Sequence, residues 1–182
     1  MIRKKTRAMM LCAVFVAFLA LGAYIKIPTP FLPLTCQTLF VLLVGTWLGA
    51  AGGAACVMIY ILLGLFGLPV FAEGGGFAYV LRPTFGYLLG FVAGAFLTGK
   101  TTKDLGGKGY SNILLSNLLG LLAVYLFGLP YYFLMSRFYL GGCENFLHFV
   151  LYGFLLPLPF DILLCFISAF LGKRLSFLRM SR

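Results

Sequence analysis

Residues Gly94 to Thr101 read GAFLTGKT, which fits the phosphate-cradling pattern G-x-x-x-x-G-K-[ST] position for position. Such a loop works because it joins a strand to a helix, so that backbone N–H groups and a helix N-terminus point at the phosphates. Here the residues just before it, RPTFGYLLGFVA, form an apolar run that reads as a helix. The expected geometry is therefore reversed: Gly94 to Thr98 end a helix, and a helix C-terminus carries partial negative charge that repels phosphate. Gly99, Lys100 and Thr101 are expected to open the following loop, with Lys100 as an anchor at the membrane surface. Nucleotide binding by this chain is not expected, and an ATP-driven process would need a separate ATPase.

Asp161 is a stronger candidate. It lies inside the apolar string PLPFDILL, and an ionisable group within a membrane-length run costs roughly 2.5 to 3.5 kcal/mol on insertion scales. It must face a polar cavity or a partner. Asn117 with Ser116, and Gln37 with Thr38, also sit in apolar runs and are able to donate and accept into the same cavity. Residues of these types equally serve as packing contacts between helices. The segment GLPVFAEGGGFAYVLRPTFGYLLGF combines three consecutive glycines with Glu73, Arg82 and the aromatics Phe77, Tyr79, Phe85 and Tyr87. Glycines allow close backbone approach and aromatics cover a flat ligand, so this segment reads as a lid, with a passive connector as the plain alternative.

Other chemistry finds little support. His148 is the only histidine, four residues after Glu144, and without a second histidine or a cysteine at ligand spacing no metal site is expected. The cysteines Cys12, Cys36, Cys56, Cys143 and Cys165 contain no C-x-x-C pair and read as small core residues. No Ser/His/Asp set and no pair of carboxylates can be assembled inside the apolar runs, so neither an enzyme nor a bound cofactor is expected.

The elements that carry these residues must tolerate very few charges. Of 182 residues 62% are hydrophobic and only 10% charged, against roughly 25% charged in a soluble domain; this is the composition of an integral membrane protein. The net charge of +10 suggests either nucleic acid or a membrane surface, and the placement of the charges decides. Arg3, Lys4, Lys5 and Arg7 precede the first apolar run, Lys100, Lys103 and Lys108 follow the fourth, and Lys173, Arg174, Arg179 and Arg182 follow the last. That is membrane topology, and no nucleic-acid partner is expected.

A spanning helix needs about 20 mostly apolar residues. Apolar lengths then predict an all-α protein of six transmembrane helices in one domain over residues 1–182, with spans near 8–25, 35–49, 53–68, 84–99, 111–135 and 146–172. The proline-rich IPTPFLP cannot be regular helix, GAAGG separates the second span from the third, and Pro157 and Pro159 bend or break the last. An even count puts both termini on one side, and the positive-inside rule makes that side the cytoplasm. Lys26, Arg82 and Arg137 are then the only cations facing outward. RKKTR before an apolar run also resembles a secretory signal, and its removal would leave the other five helices in the same orientation.

The strings PTPFLPLTCQTLFVLLVGTWLGAAGG, YILLGLFGLPVFAEGGG, RPTFGYLLGF, NLLGLLAVYLFG and PLPFDILL occur in order through all six expected spans. Together they resemble the biotin-specific S-component of energy-coupling-factor (ECF) transporters, the BioY family. The resemblance implies a cell-membrane protein that holds the vitamin in an outward-facing pocket under loop lids. It also implies docking on a transmembrane coupling protein and two ATP-binding-cassette ATPases. Ala13 and Ala17, spaced A-x-x-x-A, match the close-packing surface such components present to the coupling protein. In the pocket the resemblance implies Asp161 and Asn117 near the ureido ring and Tyr87, Phe77, Tyr79 and Gln37 around the ligand; with Leu164 in place of the family's last-helix lysine, Arg82 is expected to take that lysine's role at the ligand carboxylate. The sequence departs from the family at Phe85, where members usually carry Gly, and at Arg82. It departs again at Phe160 and Leu164, in a last helix that typically reads Pro-Gly-Asp, two apolar residues, then Lys. These departures keep open an S-component for another small carboxylate, such as dethiobiotin or lipoate; a ligand-free structural membrane protein is the other alternative.

Overall fold

The computed structural model describes residues 2–29, 32–107, 109–138 and 150–175. Cys143, Glu144, His148, Lys108, Arg179, Arg182, the start of the sixth expected span and the side chains of Arg3, Lys4 and Lys5 lie outside the described residues. Within them the chain is mostly helical.

Helix α1 (Ile2–Tyr24) buries Phe15, Leu19 and Ala23, a spacing of four that puts all three on one face. Ala13 and Ala17 lie on the uncovered side with Met9, Met10, Val14 and Leu21. After α1 a short hairpin pairs β1 (Lys26–Ile27) with β2 (Leu34–Thr35).

Helix α2 (Gln37–Leu65) consists of two helical arms joined by a sharp kink at Gly49, whose φ of 77° belongs to the left-handed region that favours glycine. The bend folds the two arms onto each other. A Cβ placed on Gly53 would lie 2.9 Å from the Gly45 Cα, whereas residues eight apart along a straight helix are separated by about 12 Å. The expected break within GAAGG therefore falls on its first glycine, and the residues after it are already helical. Phe15 of α1 meets Trp47 edge to face at 5.3 Å, and Phe18 stacks on Phe40 at 5.3 Å, joining α1 to the first arm.

Helix α3 (Phe85–Asp104) corrects the expected boundary. Gly99, Lys100 and Thr101 are helical, and the helix continues about one turn beyond the expected end of its span. The reason is tertiary: a Cβ on Gly99 would sit 2.4 Å from the backbone of Gly49 and Ala50, so the glycine lets α3 pass directly against the α2 bend. Gly94 serves the same purpose toward Gly120 and Val124 of α4 (Tyr110–Phe138). The two glycines of GAFLTGKT are thus helix-packing positions, and the residues leading directly into them are helix, not strand. A π-helical turn over Leu151–Leu155 and a turn at Leu156 and Pro157 lead into α5 (Leu158–Arg174), which begins at the prolines as expected.

Among the described residues four segments are long and apolar enough to cross a membrane: Thr6–Tyr24, Gln37–Leu65, Tyr110–Phe138 and Leu151–Arg174. The count of six made from run lengths divides α2 at its bend and adds α3, whose end GKTTKD is polar.

Candidate functional site

Asp161 stands in the first turn of α5, its backbone N–H donating to the Pro157 carbonyl at 3.0 Å. A helix N-terminus favours an acidic side chain there. Its Oδ2 accepts from the Tyr125 hydroxyl at 2.6 Å, and Thr38 at the start of α2 faces the same group. Tyr125 in turn packs edge to face on Tyr87 at 6.1 Å and on Phe154 at 5.2 Å. Tyr87 lies against α4 because Gly128 has no side chain, a Cβ there falling 2.5 Å from the ring. Its hydroxyl donates to the Gly153 carbonyl at 2.7 Å in the π-helical turn.

These residues form one wall of an open pocket holding about 620 Å³ of empty space, open solvent included. The hairpin supplies Leu32 to Thr35 on another side, Gln37 and Thr38 begin α2, Ala72 and Tyr79 come from the loop before α3, and Leu88, Phe91 and Val124 close it with apolar surface. Most of the polar atoms in the wall are already bonded to the protein. Gln37 donates to the Tyr60 hydroxyl at 2.6 Å, and Tyr60 donates to the Val70 carbonyl at 2.7 Å. Tyr79 accepts from Thr84 at 3.3 Å; burial pushes its phenol above the ordinary value, so it presents a neutral hydroxyl. Asp161 is the one acidic side chain among the described lining residues.

Of the residues named from sequence, Asp161, Tyr87, Tyr79 and Gln37 line this cavity. Asn117 does not. It is fully buried on α4, and its Nδ2 donates to the Cys165 carbonyl at 3.1 Å, one turn along α5 from Asp161. Arg82 is paired with Glu73 at 2.6 Å, with side chains 49% and 36% exposed, and lies over the Tyr79 ring at 5.7 Å. Phe77 opens the 3₁₀ turn Phe77–Leu81 and is largely exposed. Sequence reasoning missed Tyr125, which stands eight residues beyond Asn117 and therefore on the same helical face two turns away; that spacing was the available signal.

Apolar helices around an aromatic-walled cavity, with the carboxylate of Asp161 at a helix N-terminus, suit a membrane protein that binds a small molecule. The model of the BioY family matches residues 1–180, and the chain belongs to that family. It is 38% identical over 173 residues to a probable biotin transporter BioY of Lysinibacillus sphaericus, covering 95% of this chain and 88% of that one. It is 34% identical over 177 residues to the biotin transporter BioY of Thermotoga maritima, covering 97% and 99%. A crystal structure described as the S-component for biotin from an ECF-type ABC transporter shares the fold, with a TM-score of 0.85 over 96% of this chain and 93% of that one at 24% identity.

Proposed function

We propose that this chain is the substrate-binding S-component of an ECF-type importer, that it binds biotin from outside the cell, and that a separate ATP-driven module completes uptake. The observation that carries this is the cavity itself: the carboxylate of Asp161 is set among Tyr87, Tyr79, Leu88 and Phe91, in a chain whose relatives over nearly full length are named biotin transporters. Biotin pairs an N–H-bearing ureido ring with an apolar sulfur ring and a carboxylate tail. Asp161 accepts from the ureido N–H groups, the aromatic wall covers the sulfur ring, and Gln37 and Tyr79 shape the remaining side. Asn117 acts through the α5 backbone, holding the turn that presents Asp161. Arg82 and Phe77 belong to the loop that covers the cavity, where the Arg82–Glu73 pair steadies it.

The chain crosses the cell membrane six times in this proposal. The two arms of α2 are separate spans joined by the bend at Gly49, and both termini face the cytoplasm, where the basic clusters lie. The cavity then opens outward. The exposed face of α1 at Ala13 and Ala17 docks on the transmembrane coupling protein, which brings two ABC ATPases, because alanines one turn apart admit close helix approach.

Protein purified without added vitamin should carry biotin, identified by mass spectrometry. Recovery of dethiobiotin or lipoate instead would redirect the ligand, and failure to bind any of the three would sink the proposal in favour of a ligand-free role. Ala13→Leu combined with Ala17→Leu should abolish co-purification with the coupling module and leave biotin binding intact; retention of the module would place the docking face elsewhere.

A further inference from the structure

Among the described residues the cavity lining contains the acidic side chain of Asp161 and no lysine or arginine. A cation for the carboxylate of the ligand, which the biotin proposal supplies and on which this inference rests, therefore stands outside those lining residues. Two candidates stand there. Arg82 lies over the ring of Tyr79, a lining residue, but its guanidinium is held by Glu73 at 2.6 Å. The pair is neutral in sum. Lys26 touches the wall twice: its backbone pairs in the hairpin with Thr35, and its ammonium donates to the carbonyl of Ala72, both of them lining residues. That carbonyl is uncharged, and among the described residues no carboxylate pairs with Lys26. An ammonium has three donors, and the carbonyl takes one of them.

We infer that Lys26 is the specificity-determining cation of this site, receiving the carboxylate of an elongated ligand whose N–H-bearing end is taken by Asp161. The two groups come from opposite ends of the chain, the first hairpin and the last helix, so a ligand that bridges them fixes the hairpin against α5. A ligand without the carboxylate loses the hairpin contact alone.

The test compares biotin with its uncharged primary amide on the purified full-length chain. Lys26→Met keeps the unbranched stem and removes the charge; the acid-to-amide affinity ratio should then fall about fivefold, the scale of a partly exposed ion pair. Lys26→Arg should restore most of the ratio, and in the unmodified protein the ratio should shrink as salt rises. Arg82→Met should leave it nearly unchanged. A ratio unaltered in Lys26→Met, including equal losses for acid and amide, overturns the assignment, as does a fall in Arg82→Met as large as in Lys26→Met. Unmodified protein that binds biotin while Lys26→Met keeps the ratio rejects the Lys26 assignment alone; unmodified protein that binds neither compound rejects the biotin proposal and the assignment with it.

Discussion

The contacts of α3 with α2 and α4 and the walls of the cavity are held together by different means. Between the helices, backbone meets backbone: a Cβ on Gly45 would sit 2.5 Å from the Ala95 carbonyl oxygen, and one on Gly90 would sit 2.5 Å from that of Val124. Around the cavity, irregular segments are held by side chains reaching to carbonyls. Tyr24 donates to Pro69, Lys26 to Ala72, Tyr60 to Val70, Tyr131 to Val80 and Tyr87 to Gly153. Backbone groups that lack helical partners must be satisfied by other groups where water is scarce, and tyrosine and lysine supply the donors. A hydrogen bond of this kind is worth about 1 kcal/mol net and is broken singly. A glycine contact admits no partial loss. The cavity lies where the first kind of packing gives way to the second.

The harshest way to break that contrast is Gly45→Val. The obstructing atom is a carbonyl oxygen of α3, which cannot rotate away, and Gly53 of the second arm approaches Gly45 from another side. Overpacking of this kind costs about 3 kcal/mol or more. Thermal unfolding in detergent should show a large drop in Tm, with biotin binding lost in step with folded protein. Unchanged stability in Gly45→Val would mean that the helix contact yields as readily as the cavity wall, and the contrast would fail.

The same contrast governs what was legible in the sequence. Run lengths and GAAGG predicted helices on both sides of a break, because apolar length and glycine clusters act locally. The end of α3 was misplaced because its extension depends on Gly99 meeting the α2 bend, a contact between residues fifty apart in sequence. Asp161 was legible because an acid in an apolar run is costly wherever it sits. Tyr125 was not, since a tyrosine in such a run looks the same whether it fills the core or bonds a carboxyl group. Lys26 appeared only as an outward-facing charge, and its Ala72 partner is a backbone carbonyl, which no residue type announces. Arg82 drew attention by its charge, but Glu73, nine residues earlier, had already engaged it.

Smaller effects should come from the cavity wall, and there two substitutions can be played against each other. Asp161 accepts from Tyr125 and faces Thr38, and a carboxylate has enough lone pairs to accept from a ligand N–H as well. Asp161→Asn keeps the shape but leaves one acceptor oxygen. Tyr125 holds that oxygen, so the new NH₂ group faces the donors of the ureido ring. Loss of an acceptor with unpaired donors left behind costs about 2 kcal/mol, roughly thirtyfold in biotin affinity, with Tm little changed. Tyr125→Phe keeps the ring packed on Tyr87 and Phe154 and removes one hydrogen bond, about 1 kcal/mol or roughly fivefold. The two effects should not add. Without the Tyr125 hydroxyl the introduced amide is free to turn its oxygen toward the ligand, so Asp161→Asn should cost less in the Tyr125→Phe background than alone. Isothermal titration of the four proteins measures this coupling directly. Strict additivity would show that Tyr125 does not orient Asp161 toward the ligand, and that the hydrogen bond between them belongs to helix packing and not to the binding wall.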